Sequence, residues 1–230
     1  MLKNVAIASL CLAALGATAS AAAEPGTYLS GRLGVAYESF GDAEMWGSTS
    51  GPATHQYDRR DSGATFAAGA AVGYAFEMPL RAELEYTYRT QFHHEKNPTN
   101  NGSHDVNVDT QTQTLMVNGY YDFHNGTGCT PFLSAGIGWA RHTTDAPAYP
   151  ATGGMPLYRS VEQTVDRFAW SLGAGLAFDL TEAMTLDVQY RHLDLGRGEW
   201  QNHAASTGDT GYFRADLTSN EVLFGLRYAF

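Results

Sequence analysis

Along much of this chain, large apolar residues recur at every second position, with small or polar residues between them. The clearest case is 80–90, where Leu80, Ala82, Leu84, Tyr86 and Tyr88 alternate with Arg81, Glu83, Glu85, Thr87 and Arg89. A period of two predicts a β-strand whose two faces meet different surroundings. At the C-terminus, Val222, Phe224, Leu226, Tyr228 and Phe230 share one face, while Glu221, Leu223, Gly225, Arg227 and Ala229 share the other. The same alternation predicts strands over 27–38, 64–76, 110–123, 132–141, 168–178 and 184–192. In each, the greasy parity carries residues such as Leu29, Phe66, Val117, Ile137, Trp170 and Val188.

The connections sort by parity. Glu77-Met78-Pro79, the Asn125-Gly126 turn within 124–130 and Thr181-Glu182-Ala183 are short. Residues 39–62, 91–109, 142–163 and 193–219 are long, polar and rich in Gly, Pro, Ser and Asp, which reads as loop. Long and short connections that strictly alternate are what an up-and-down meander produces. Strands of about ten residues suit a tilted crossing of the hydrocarbon layer. A closed barrel is the β-form that leaves no unpaired edge in lipid. The expected fold is therefore all-β, an eight-stranded antiparallel up-and-down transmembrane barrel with short periplasmic turns and four long external loops. The competing reading is a soluble eight-stranded barrel of lipocalin type.

The N-terminus supplies the compartment. Lys3, an apolar run from Val5 to Ala17 and then Ala19-Ser20-Ala21-Ala22-Ala23 follow the order of a secretory signal peptide. The expected division is a leader over 1–23 and a barrel domain over 24–230, in the outer membrane of a Gram-negative bacterium. Cys11 falls in the leader, so the mature chain keeps Cys129 and has no internal disulfide. A net charge of −10 with no basic cluster excludes a nucleic-acid partner.

The segments GAAVGYAF, PFLSAGIGWA, FAWSLGAGLAF, LDVQYRHLDLG and EVLFGLRYAF resemble the small eight-stranded outer-membrane barrel family. That family includes opacity-type and small alphaproteobacterial surface proteins, also grouped as porin-like. The resemblance implies roles in envelope integrity or adhesion and, in some members, haemin binding. It carries no individual binding residue across. The final strand, with Phe224, Leu226, Tyr228 and Phe230, resembles the assembly signal of such barrels.

Chemistry is then a question of what faces inward and what the loops hold. The inner parity collects Arg32, Arg81, Arg89, Arg167, Arg191 and Arg227 with Glu38, Glu83, Glu85, Asp122, Asp179 and Asp187. In an eight-stranded barrel the interior is just wide enough for side chains, so mixed signs predict an ion-pair plug rather than a wide pore, with a narrow ion path along the network, a small porin-like channel, as the alternative. His55, His93, His94, His104, His142, His192 and His203 fall in or beside the predicted external loops, and His124 in a turn. Imidazole ligates haem and metals. His93, His94, His142 and His203 are the weak candidates for haem, near Tyr149, Tyr158 or Trp200. No metal site and no resident cofactor are expected. A lipid-modifying enzyme or protease would need a nucleophile with its base. Ser206 with His203 and Asp209, or Ser103 with His104 and Asp105, are neighbours in sequence without a recognisable rim pattern, so no catalytic residue is assigned. The expected role is structural and surface-interacting. The expected partners are outer-membrane lipid and lipopolysaccharide, the barrel-assembly machinery, and a host or surface ligand met through the loops.

Overall fold

The computed structural model describes residues 25–41, 44–47, 61–94, 108–146, 161–203 and 210–230. The leader expected over 1–23 and much of the external connections lie outside those residues. The strands are β1 (Gly26–Phe40), β2 (Glu44–Gly47), β3 (Asp61–Ala75), β4 (Leu80–His94), β5 (Val108–Asp122), β6 (Cys129–Ala146), β7 (Val161–Asp179), β8 (Met184–His203) and β9 (Thr210–Ala229). β1 and β3 to β9 pair antiparallel in chain order, and β1 returns to β9, closing an eight-stranded barrel. The short β2 adds to β9 through Glu44↔Arg214 to Gly47↔Gly211.

Face parity follows the alternation of the chain. Leu84, Val117, Ile137, Leu172 and Phe224 point outward and are about half exposed, whereas Arg32, Glu83, Glu85, Thr87, Asn118 and Arg191 point inward and are buried. Lipid is the solvent for that outer band, so its exposed apolar area is the expected surface of a membrane barrel. Aromatic residues fringe the band at both ends. At the turn end, Tyr74 packs edge-on against Phe76, Tyr121 against Phe123 and Tyr228 against Phe230. Tyr37, Tyr88, Trp139 and Phe168 lie towards the loop end. Small inner residues make room for large ones opposite. A Cβ on Gly73 would lie 2.3 Å from the Tyr28 ring.

The strands run further than the alternation predicts. β6 continues to Ala146 and β7 begins at Val161, within the loop expected over 142–163. The loop expected over 193–219 is almost wholly the β8–β9 hairpin, which pairs out to His203↔Thr210. The cause is an inversion of the pattern. Beyond Asp194 the outward positions turn polar, with Arg197, Asp216 and Thr218, while Leu193, Leu195, Ala215 and Leu217 are buried inside. That is the apolar-in, polar-out arrangement of a β-structure standing in water.

A bulge marks the changeover. The β8–β9 register shifts between Asp194 and Gly196, with Gly196 at φ +79° and its N–H donating to Asp194 Oδ1 at 2.9 Å. The extra residue swaps face parity, so Leu195 and Gly198 can both face inward. A Cβ at Gly196 would also approach Arg167 Cβ and the Phe168 carbonyl to 3.0 Å. Gly196→Ala is expected to destabilise the barrel by ~1–3 kcal/mol through left-handed strain. Urea unfolding of the barrel refolded into lipid vesicles measures it.

Candidate functional site

The charged part of the interior is built from the inward residues of β1, β4, β5, β8 and β9. Arg32 reaches Glu83 at 2.5 Å and also bonds Glu85. Arg191 bridges Glu85 at 2.5 Å and Glu221 at 2.8 Å. Glu221 also takes Arg89 Nε at 2.6 Å. At the turn end, Arg81 pairs with Asp122 through Nε at 2.6 Å and Nη2 at 2.8 Å, and lies 3.9 Å from Glu83. Read in order, Asp122, Arg81, Glu83, Arg32, Glu85, Arg191, Glu221 and Arg89 form one row of alternating sign across the interior. Alternation sets Arg81, Arg32 and Arg191 each between two carboxylates and Arg89 against Glu221, which is how charges are tolerated at near-zero exposure.

Neutral groups complete the row. The Tyr28 and Tyr120 hydroxyls each donate to Glu83 at 2.9 Å, and Thr87 and Asn118 donate to Glu85. The Arg81 guanidinium stacks over Tyr120, 4.5 Å from the ring centroid. A separate bidentate pair, Arg227 with Asp187 at 2.8 and 3.0 Å, sits beside Tyr28. Glu38 is also buried, and its Oε1, like Arg89 Nη2, has no hydrogen-bond partner. Above the charges, Met116, Ala140, Ala169, Leu193, Leu195 and Leu217 form a buried apolar layer.

Two residues expected in the interior lie elsewhere. Asp179 ends β7 at the turn, exposed, where Thr185 Oγ1 donates to it. Arg167 is at the opposite rim, half-buried, donating to the Arg197 carbonyl at 2.5 Å and the Asp166 carbonyl at 3.0 Å. Asp179 ends β7, whereas Arg167 lies past the last β7–β8 ladder pair, Trp170↔Asp194, and turns to the Arg197 carbonyl. Glu221 is the converse case. Its parity was plain from the sequence, yet only the register, Ala36↔Glu221 and Arg191↔Glu221, reveals it as the joint between two arginines.

Of the histidines expected in or beside the external loops, His142 and His192 have side chains among the described residues, one inside the wall and one outside it. His142, expected in a loop, faces inward on β6 and is fully buried. Its Nε2–H donates to the Leu195 carbonyl at 3.2 Å, so Nδ1 accepts from Thr112 Oγ1 at 3.1 Å. The exposed Arg141–Asp166 pair shares its level on the outer wall, placing the ring beyond the lipid band. Burial pushes the His142 imidazole down to about 4, so it stays neutral where a solvated histidine titrates. With both nitrogens engaged inside the wall, His142 is not placed to ligate a haem held among loops. His192 is outward on β8, with Nδ1 3.0 Å from Asn220 Oδ1 and its ring edge-on to Trp170. In the backbone ladders His93 pairs with Asp109, His94 with Val108 and His203 with Thr210. His55, His104, Ser103, Asp105, Ser206, Asp209, Tyr149 and Tyr158 lie outside the described residues, as does the side chain of Trp200. In the last strand, Phe224, Leu226, Tyr228 and Phe230 all face outward, and the Phe230 N–H donates to the Thr27 carbonyl at 3.3 Å.

Comparison with known proteins agrees with this architecture. Outer membrane protein PagN of Salmonella typhimurium is 31% identical over 238 residues, covering 93% of each chain. Neisserial surface protein A superposes with a TM-score of 0.54 at 18% identity, covering 89% of this chain and 97% of that one. OprG of Pseudomonas aeruginosa superposes with a TM-score of 0.54 at 13% identity, covering 92% and 99%. At those identities the two structures speak for the fold alone. Residues 7–230 match the outer membrane protein beta-barrel domain, and the chain belongs to that family of outer-membrane β-barrels.

Proposed function

We propose that the protein is a structural and surface-interaction barrel, adhesin-like in role, rather than a conduit or an enzyme. One observation carries this reading. From Arg81 at the turn end to His142 beyond the lipid band, the inward side chains of Arg32, Glu83, Glu85, Arg89, Met116, Asn118, Tyr120, Phe132, Arg191 and Glu221 are all buried, so side chains rather than water occupy this interior. A filled eight-stranded barrel offers no aqueous path. What remains variable is what the strands hold up, and binding residues are characteristically carried on loops that a rigid scaffold positions. The strands rise past the lipid band before the external connections begin, which makes them stiff supports for contact with a host or surface ligand.

The test is to replace residues 95–107 and 147–160, separately and together, with Gly-Ser linkers of equal length. Adhesion of expressing cells to host-cell or abiotic surfaces is expected to fall to the level of cells lacking the protein. Heat-modifiable migration of the barrel should be unchanged. Adhesion equal to the parent with both segments replaced would overturn the proposal.

Export follows the same reading, with a leader over 1–23 removed and the last strand presented to the assembly machinery. Deleting Phe230 is expected to leave most of the chain periplasmic and protease-sensitive, measured by fractionation and heat-modifiability. Wild-type amounts of inserted barrel would count against Phe230 as a signal.

A further inference from the structure

The ladder between β7 and β8 stops before either strand does. Its last pair is Trp170↔Asp194, and among the described residues no pair joins 161–169 to 195–203. Both strands run on, β7 against β6 out to Ala146↔Val161 and β8 against β9 out to His203↔Thr210. Two hairpins therefore rise past the lipid band side by side. Arg167 marks their parting. Its Nε–H donates to the Arg197 carbonyl at 2.5 Å and its Nη1–H to the Asp166 carbonyl at 3.0 Å. A guanidinium thus bridges the two main chains where a ladder pair would stand. Successive residues of a strand aim their N–H and C=O groups to opposite sides. A Cβ on Gly196 would lie 3.0 Å from the Phe168 carbonyl, so Phe168, Asp166, Thr164 and Glu162 aim their main chain at β8.

A strand edge of this kind is a template for another strand unless a cover or a bulge spoils it. The same rim shows both devices elsewhere. On β9, β1 leaves after Phe40↔Leu217, and β2 takes its place from Glu44↔Arg214 to Gly47↔Gly211. Where the β3–β4 ladder ends at Ala67↔Arg89, β4 carries a register shift between Arg89 and Phe92. The β6–β7 ladder runs without a shift from Cys129↔Phe178 to Ala146↔Val161, so the β7 edge stays regular and extended. We propose that residues 161–166 of β7 are a docking edge for an extended segment of another polypeptide, added as a strand on the side facing β8. The chemistry specifies that occupant, because an extended main chain carries donors and acceptors at the spacing of the edge. The addition of β2 to β9 shows the same mode on the neighbouring hairpin. The Arg167 guanidinium closes the end nearer the membrane and limits the added strand to the length of 161–166. Val165, paired with the inward His142, faces in and is half-buried, whereas Thr164 and Asp166 face out and are exposed. A segment alternating apolar and hydroxyl residues continues both surfaces. This edge stands on the strands and does not depend on the loop-borne adhesion proposed above.

The experiment uses the full barrel in lipid nanodiscs and a fluorescein-labelled peptide, Lys-Thr-Val-Thr-Val-Thr-Val-Lys, followed by fluorescence anisotropy. Saturable binding by the parent is expected. Thr164→Pro removes the N–H aimed at β8 and spares the β6 ladder, as proline does on an edge strand. That variant should keep heat-modifiable migration and bind about tenfold more weakly, the weight of a lost main-chain hydrogen bond. Thr164→Val keeps the main chain and should bind as the parent does. A second arm needs no variant. The same peptide N-methylated throughout keeps every side chain but has no main-chain donor, and is expected not to bind. Absence of saturable binding by the parent overturns the proposal, as does equal binding by the parent and Thr164→Pro. Equal binding of the N-methylated peptide, or loss of binding on Thr164→Val, would make the contact a side-chain one and also overturns it. So does a parent that runs as a dimer and loses that state on Thr164→Pro, which would put a second copy on the edge.

Discussion

Glu221→Gln is expected to destabilise the barrel by about 3–5 kcal/mol, because removing one partner of a buried ion pair strands the other. Glu221 is the joint of the interior row, taking Arg89 through Oε1 and Arg191 through Oε2, all at near-zero exposure. The amide keeps the shape and loses the charge. Arg191 still holds Glu85, whereas Arg89 retains only a neutral bond to Thr114 at 3.2 Å. The unmatched charge therefore falls on Arg89. Urea unfolding in lipid vesicles measures the change, and Glu221→Gln/Arg89→Met, which removes both charges, should recover much of the loss. A double variant no better than the single one would show that the two side chains do not act as a pair.

The second large effect concerns the outer wall. Leu84 is outward on β4 and about half exposed, between the buried Glu83 and Glu85. Leu84 pairs with Val72 and with Val117, both also outward and apolar. Leu84→Arg puts a cation into hydrocarbon and is expected to destabilise the barrel by about 2–4 kcal/mol, the range for the bilayer midplane. Leu84→Tyr, which keeps an apolar body, should change little. The same urea assay separates them. If the arginine variant is as stable as the parent, this position does not face lipid.

These two effects divide between what the chain's alternation makes legible and what it does not. Leu84 and its neighbours could be assigned from sequence because lipid outside and charge inside force opposite chemistry on successive positions. The same rule placed Arg32, Glu83, Glu85 and Arg191 on the inner wall. It could not say which carboxylate meets which guanidinium, since that depends on register between strands far apart in sequence. Arg89 and Glu221, joined at 2.6 Å, are such a pair. Nor could it follow the strands out of the membrane. Past the aromatic fringe the outside becomes water, so Leu193, Leu195 and Leu217 turn inward and Arg197 and Asp216 outward. The Gly196 bulge shifts parity at the same place. Two opposed patterns joined through a bulge read as no pattern, and 193–219 accordingly looked like loop. His142 was misplaced for the same reason, since its outward neighbours Arg141 and Thr143 gave the segment no apolar face.

The interior row and the apolar layer above it fill the barrel. Arginine remains charged at any physiological pH, so the alternating row cannot relay protons by deprotonating its cations. Opening a path for ions would require several ion pairs to part at once. The most direct test of this closed interior is electrical. The purified barrel, refolded and reconstituted in planar bilayers at 1 M potassium chloride, is expected to leave the membrane at its bare conductance across ±100 mV. Regular unitary current steps that scale with the amount of inserted parent protein would show a continuous aqueous path through the barrel and contradict the account.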